Sequence, residues 1–305
     1  MIRRMASASR GSSGRNGGRG IAVTLESRAV GRTDGSFQHT GQRLAYSTYG
    51  DGRRVTVLLH GLLFSRDMHD ALARALAERG HRVVTLDLLG HGESDRPTDM
   101  WHYSMTEFGH EVVALLDHLE VEEAVVMGTS LGANVTLEVA ALAPERLRGM
   151  VIEMPVLDHA LVGCAVAFTP LLLALTFGAS GMRALARAAR VVPTRRLPWQ
   201  ADMLLDWFRQ DPAPSAAVVQ GLFFGRTAPH RSERRTFRAP TLVIGHQYDI
   251  IHPFSDAGML AEELPNGRLL QANSILELRL APARLTDEIA AFLDECWQPR
   301  AARAA

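Results

Sequence analysis

The chain has 305 residues, of which 47% are hydrophobic and 22% charged, and its 33 basic side chains balance 33 acidic ones. This composition is typical of a globular protein and lacks the basic excess that draws in nucleic acid, so we expect a small neutral or apolar partner. Cys164 and Cys296 lie far apart with no metal-ligand spacing. Neither a disulfide framework nor a metal site is predicted, and a cytoplasmic location fits.

The N-terminal segment, residues 1–35, is predicted to be a disordered tail. Its first twenty residues hold five arginines, no acid and many Gly and Ser, which cannot bury enough apolar surface to order a chain. The segment lacks the apolar stretch of a secretory signal and resembles a transit peptide only faintly. A dispensable tail is the favoured interpretation.

Alternating strands and helices are predicted from about residue 36 onward. "GSFQHTGQRLAYSTYGDG" has two alternating runs around a glycine turn and indicates an antiparallel hairpin. Buried strands follow in "RVTVLLHG", "HRVVTLDLLG", "EAVVMGTS", "LRGMVIEMP" and "PTLVIGHQYD", separated by stretches with helical spacing such as "MHDALARALAERG" and "EFGHEVVALLDHL". This order predicts an α/β fold whose parallel sheet has helices on both faces and its chemistry at the carboxyl ends of the strands.

The motif "GTSLG", Gly128 to Gly132, joins the strand "EAVVM" to the helical stretch "ANVTLEVAALA". A serine on such a tight turn requires small residues two positions before and after it, because the backbone is crowded there. The start of the following helix also stabilises developing negative charge. Between a strand and a helix the motif predicts a nucleophilic Ser130. The alternative is a purely structural role, as a glycine-rich turn with a capping serine.

Four motifs in this order resemble the α/β-hydrolase fold family: "LLHGLLFS", "DLLGHGESDRP", "GTSLG" and "GHQYDIIHP". The resemblance covers nearly the whole chain after residue 36 and implies a mostly parallel eight-stranded sheet with a helical cap. It implies that Ser130 is the nucleophile, that Asp249 is the acid, and that the backbone amides of Leu62 and Leu131 form the oxyanion hole. The implied domains are a core at 36–155 and 240–300 and a cap at 156–239.

The family expects a histidine in the loop after its last strand, but that loop, within "QANSILELRLAP", contains none. An unassisted serine is a poor nucleophile near neutral pH. His252 lies three residues beyond Asp249, close enough for both side chains to enter one cavity. We therefore consider His252 as a relocated base, oriented by Asp249 or alternatively by Glu153; the alternative is that His252 only stabilises its own loop. Ile275 and Leu276 are then expected to line the vacated wall of the pocket.

The other histidines are weaker candidates for the base. His60 is expected to brace the loop after the third strand, and His91 lies on a neighbouring loop. His246 precedes the acid, and His159 and His230 border the cap. His39, His69, His81, His110 and His118 fall on the hairpin, on helices or at a helix-to-strand turn.

The predicted cap begins with an uncharged stretch, Ala160 to Met182, that is long enough to span a membrane. Pro170 and the position of this stretch between two strands of one sheet argue against a span. Apolar cap helices over the site are favoured, and interfacial contact with a membrane stays open. "ALARAARVV" and "ADMLLDWFRQD" are predicted to be amphipathic cap helices, and "GRTAPHRSERRTFRAP" a polar return link.

These features favour a cofactor-free serine hydrolase, esterase-like, that acts on small apolar esters, lactones or related acyl substrates. The competing hypothesis is a hydrolase-fold protein that binds a small molecule without turnover. A third hypothesis is cofactor-free oxidation resembling that of serine-dependent perhydrolases. Because one scaffold hosts many chemistries, the fold alone does not separate them.

Overall fold

A computed structural model describes residues 30–192, 205, 208–249 and 251–299. Eight strands form one sheet in the order β1-β2-β4-β3-β5-β6-β7-β8. Strand β2 is antiparallel to both of its neighbours, and the other pairs are parallel. The strands are β1 (Arg32–His39), β2 (Gln42–Tyr49), β3 (Arg54–Leu59), β4 (His81–Leu86), β5 (Ala124–Thr129), β6 (Leu147–Glu153), β7 (Thr241–His246) and β8 (Gly267–Ala272). The predicted α/β-hydrolase sheet is therefore confirmed.

Helices connect the strands within the described ranges. They are α1 (Asp70–Glu78), α2 (Met105–His118), α3 (Leu131–Leu142), α4 (Ala160–Phe177), α5 (Ala179–Val191), α6 (Pro212–Phe224), α7 (Arg231–Arg234), α8 (Phe254–Glu263), α9 (Glu277–Leu280) and α10 (Ala283–Trp297). Short 3-10 turns occur at Arg66–His69, Met100–His102 and Pro144–Arg146.

The central strands are buried on both faces, which explains their continuous apolar runs. Val57 and Leu59 of β3 pack into one core with residues of α2, α3 and α8. Leu58, which points to the opposite face, packs into a second core with residues of α1 and α10. The two cores hold the sheet between two helical layers, so the carboxyl ends of β3, β5, β6 and β7 are fixed side by side at one edge.

The boundaries differ from the prediction at several places. Strand β1 begins at Arg32, inside the predicted tail, and residues 1–29 of that tail lie outside the described residues. The segment 201–211 also lies mostly outside them. Helix α6 was not predicted, because its two prolines resemble a break; Pro212 instead occupies the first turn, where proline is tolerated, and Asp211 caps the helix.

The segment between β6 and β7, residues 154–240, is called the insertion below. It contains α4, α5, α6 and α7. Two buried polar side chains of the core hold it in place. Asp256 accepts hydrogen bonds from the backbone N–H groups of Leu157, His159 and Ala160 at 2.8–3.0 Å. Asn134 donates to the carbonyls of Val156 and Thr227 at 2.7 Å and so joins both ends of the insertion to α3.

Candidate active site

Ser130 lies on a strained turn between β5 and α3. Its backbone has φ 55° and ψ −110°, a conformation that a non-glycine residue rarely adopts. A Cβ at Gly128 would overlap the carbonyl of Gly132, and a Cβ at Gly132 would overlap the carbonyl of Leu59. The glycines of "GTSLG" are thus required by backbone crowding, and the strand, turn and helix predicted around Ser130 are all present.

Ser130, His252 and Asp249 form one hydrogen-bonded chain. The Ser130 Oγ lies 2.8 Å from His252 Nε2, and His252 Nδ1 lies 2.9 Å from Asp249 Oδ2. The side chains of His252 and Asp249 are 13% and 11% exposed, so water screens this pair only weakly. The structure therefore brings together the three residues that the sequence suggested, including the histidine outside the usual loop.

Asp249 is held as a carboxylate that orients the imidazole. Its Oδ1 accepts the backbone N–H groups of Ile251 at 2.9 Å and His252 at 3.0 Å, while Oδ2 faces the ring. Burial opposes ionisation, but the hydrogen bond and charge of His252 outweigh it and lower the pKa of Asp249. An ionised Asp249 accepts the Nδ1 proton, which leaves Nε2 free to accept the proton of Ser130.

In the segment after β8, where a histidine was expected, an arginine reaches the Ser130 turn instead. Arg279, on α9, donates to Thr129 Oγ1 at 3.1 Å and to Glu153 Oε2 at 3.0 Å, directly behind the Ser130 turn. Burial opposes ionisation of Glu153, but the Arg279 charge, together with the hydrogen bonds and charge supplied by His246 and Thr129, outweighs it and lowers the pKa of that carboxyl. Glu153 is thus engaged with Arg279, Thr129 and, at 3.6 Å, His246. The ring of His252 contacts Asp249, so the structure favours Asp249 over Glu153 as its partner.

The expectation that Ile275 and Leu276 line the pocket is corrected. Their side chains are 45% and 47% exposed, and neither is among the residues around the cavity beside Ser130. The reason is local. The chain turns into the short helix α9, where Leu278 is buried and Arg279 points inward, so the two preceding side chains are left on the outside.

The five other histidines considered near the site have structural partners. His60 Nδ1 donates to the carbonyl of Gly61 at 2.8 Å, while its Nε2 accepts the Leu88 N–H at 3.1 Å, so it braces the loop after β3 as expected. The ring of His91 packs 4.7 Å from that of His60. His159 bonds Asp256, His246 bonds the Ser274 carbonyl and His230 caps α7. Within the described ranges, His252 is the histidine that contacts Ser130.

A cavity of about 260 Å³ opens beside Ser130. Leu62 and Leu131 lie in its wall next to the serine, and Asn134 and Thr227 are its other polar members. The insertion provides the opposite wall, which is apolar and consists of Val156, Leu161, Cys164, Ala165, Phe168, Val219, Leu222 and Phe223. Burial raises the pKa of Cys164 to about 11, so its thiol stays protonated and is not a competing nucleophile. Among the described residues no group of three or more His, Cys, Asp or Glu is placed to hold a metal ion.

Two residues at this site were missed in the sequence. No sequence pattern points to Arg279, because its role depends on contact with Glu153, which lies more than one hundred positions away in the chain. Asn134 follows Ser130 in an apolar helix, and a buried amide there is a weak sign of a polar contact. Its partners, at the two ends of the insertion, become visible only in three dimensions.

Comparison with known proteins identifies the family of the chain. The family model described as alpha/beta hydrolase fold matches residues 55–273, so the chain belongs to the α/β-hydrolase fold family. The enol-lactonase of Burkholderia xenovorans LB400 has a similar structure, with a TM-score of 0.71 and 22% identity over 85% of this chain and 100% of that one. At this identity the similarity shows the fold.

Two relatives are similar in sequence. The dihydrolipoyllysine-residue acetyltransferase component of the acetoin cleaving system of Pseudomonas putida is 42% identical over 107 residues. This match covers 33% of the chain and only 26% of that protein. An uncharacterized protein of Mycobacterium tuberculosis is 25% identical over 278 residues, which cover 83% of this chain and 79% of the relative.

Proposed function

We propose that this protein is a serine hydrolase of small apolar esters, lactones or related acyl substrates, in which His252 is the general base. The observation that carries the proposal is the continuous chain of hydrogen bonds from Ser130 through His252 to Asp249, at 2.8 and 2.9 Å. Nucleophile, base and orienting carboxylate within hydrogen-bond reach of one another are what acyl transfer through serine requires. Membership of the hydrolase fold family supports the same class of reaction.

In the first half-reaction, Ser130 Oγ attacks the acyl carbon while His252 Nε2 takes the hydroxyl proton. The carbonyl oxygen becomes an oxyanion, which we assign to the backbone N–H groups of Leu62 and Leu131. Both residues border the cavity beside Ser130, and Leu131 is the first residue of α3, whose N–H has no acceptor within the helix. Each such donor typically lowers the barrier by about 3 kcal/mol.

The tetrahedral intermediate then breaks its bond to the alcohol oxygen, which receives the proton from His252 Nε2. This step leaves the acyl group on Ser130. Water attacks the acyl carbon and gives its proton to Nε2, and the acid departs as Ser130 recovers its hydroxyl proton. Asp249 keeps the ring in one tautomer throughout and stabilises the imidazolium that forms twice in the cycle.

The cavity supports the proposed substrate class. Its walls are almost wholly apolar. The side-chain amide of Asn134 already donates to the carbonyls of Val156 and Thr227 and accepts the N–H of Val156, so these groups are not available to bind a polar substrate. A space of about 260 Å³ suits a short acyl or alcohol group rather than a long extended one. We therefore assign the insertion the role of a cap that excludes water from the acyl group.

The test is labelling of Ser130 by a fluorophosphonate, followed by measurement of intact mass. Only an activated serine reacts quickly, so the wild-type protein should gain one adduct and Ser130→Ala none. Ser232→Ala is the matched control and should label like the wild type, since Ser232 lies on the short helix α7 with its hydroxyl bonded to His230. A protein that folds, binds apolar esters and resists labelling would instead be a small-molecule binding protein, and the proposal of turnover would be withdrawn.

A further inference from the structure

The outer surface of the insertion is unusually apolar. Of the seventeen exposed large hydrophobic side chains among the described residues, eleven lie on the insertion. Helix α4 is the one described helix long and apolar enough to cross a membrane: its mean hydropathy is 2.2, and only 11% of it is buried. Apolar surface of this extent on a protein marks an interaction site.

Helix α4 is apolar on two opposite sides. One side carries Cys164, Ala165 and Phe168, which line the cavity beside Ser130. The other side carries a stripe at helical spacing that faces solvent: Val162, Val166, Leu173 and Phe177 are 75%, 71%, 51% and 82% exposed. A helix that only covered a pocket would be polar on its outer side. The outer stripe therefore requires a second apolar environment.

The charge next to this stripe is positive. From His159 to Val192 the sequence contains Arg183, Arg187 and Arg190 but no Asp or Glu. All three arginines are exposed on α5, the helix that directly follows α4. An apolar helix face followed by a helix with exposed arginines, with no Asp or Glu on either helix, is the composition of an interfacial membrane anchor.

We propose that the outer stripe of α4 and the arginines of α5 dock on the surface of a membrane that contains anionic phospholipid. A span is disfavoured by the cavity-lining side of α4 and by Pro170 inside it, and its two ends lead back to β6 and β7 of one sheet. A second copy of the chain is a poorer partner, because a twofold contact would bring the same arginines of both copies together, and neither α4 nor α5 carries an acid to balance them.

The position of the cavity gives this docking a consequence. Leu161 and Phe223 line the cavity and are also 46% and 47% exposed, so its mouth continues into the apolar surface. Because Leu161 at this mouth directly precedes Val162 of the stripe, docking would bring the mouth to the edge of the lipid surface, and an apolar substrate dissolved in the bilayer would reach the cavity over a short, apolar path. This consequence rests on the proposed function, whereas the docking itself does not.

The experiment is co-flotation of the full chain with vesicles of phosphatidylcholine, with or without about one third phosphatidylglycerol. It uses the Ser130→Ala variant, so binding is measured independently of turnover. Val162→Glu/Val166→Glu should reduce binding roughly tenfold or more, because two exposed apolar side chains become charged. Leu269→Glu/Ile275→Glu adds the same charge at two exposed apolar positions outside the insertion and should bind normally.

Arg183→Gln/Arg187→Gln tests the electrostatic half of the proposal. Each arginine near an anionic surface contributes roughly fivefold to binding, so this pair should lower it about 25-fold on the anionic vesicles and little on the neutral ones. The proposal would be overturned if the protein did not float with the anionic vesicles. It would also be overturned if Leu269→Glu/Ile275→Glu lost as much binding as Val162→Glu/Val166→Glu. Retention on membranes after carbonate washing, which indicates a span, would overturn it as well, as would a dimer by light scattering that Val162→Glu/Val166→Glu dissociates.

Discussion

Replacement of His252 by alanine is the most direct test of the relocated base. The ring nitrogen Nε2 lies 2.8 Å from Ser130 Oγ, and no other histidine among the described residues contacts that hydroxyl. General-base catalysis typically contributes a factor of about 10² to 10⁴, which corresponds to about 3 to 5 kcal/mol of barrier. We therefore expect kcat/KM for a short p-nitrophenyl ester to fall at least 10²-fold.

The same replacement should lower stability only modestly. The backbone N–H groups of Ile251 and His252 still bond Asp249 Oδ1, so one side-chain hydrogen bond to the largely buried carboxylate is removed. The loss of a hydrogen bond to a charged group costs about 1.5 to 3 kcal/mol of unfolding free energy. Urea denaturation measures this cost, and equal expression and circular dichroism confirm that the fold is retained.

The matched control is His159→Ala. His159 also pairs a ring nitrogen with a carboxylate, that of Asp256, at 2.8 Å, but it lies on the insertion and does not contact Ser130. This variant should keep wild-type turnover within about twofold. If His252→Ala keeps more than about a tenth of the wild-type rate, or if both variants lose it equally, His252 is not the base.

Three further changes test the site and its support. Asp249→Asn places an amide N–H against the His252 ring, which moves the ring proton to Nε2, and kcat should fall about 10³- to 10⁴-fold with the fold intact by circular dichroism. Gly128→Ala should lower the free energy of unfolding, measured in urea, by about 3 kcal/mol or more, because the added Cβ overlaps backbone atoms. The control is Gly181→Ala on helix α5, where no atom lies within 4 Å of the added Cβ. It should raise the free energy of unfolding by about 0.5–1 kcal/mol. Burial raises the pKa of Glu111 from 4.5 to about 8, so the folded state holds this proton more tightly than the unfolded chain. The contribution of this group to stability should be fully present below about pH 4.5 and be lost as the pH rises towards 8. The difference in unfolding free energy between Glu111→Gln and the wild type, measured in urea titrations, should therefore shift in favour of the variant between these pH values.

The sheet and the nucleophile turn could be predicted because their constraints are local. A strand buried on both faces must be a run of apolar residues, as in β5, and the crowded turn after it admits only small residues at Gly128 and Gly132. These requirements act on neighbouring positions in the chain. The sequence therefore carries them without reference to any distant partner.

The walls of the site could not be predicted in the same way. Helix α6 has so many buried residues that it shows no clear amphipathic period, and two prolines at its start resemble a break. Ile275 and Leu276 were expected in the pocket because they are apolar and lie in the loop without a histidine. Their orientation is decided instead by Arg279, which enters the space behind the serine turn, and by the buried Glu153 that draws it there.

The sequence does not decide whether Asp249 or Glu153 is the partner of His252, whereas the structure does. Both carboxylates follow strands that meet at the same edge of the sheet, so the sequence admits either. In the structure a buried carboxylate needs a charge partner, and Glu153 has one in Arg279. Within the part of the chain that the structure describes, no arginine bonds Asp249; its partners are two backbone N–H groups and the ring of His252. The arginine that fills the place of the usual histidine thus engages one acid behind the serine, while the other acid, three residues before His252, is left to orient the imidazole. If His252 is the base, as we propose, the position of Arg279 and the position of the base are linked through these two acids.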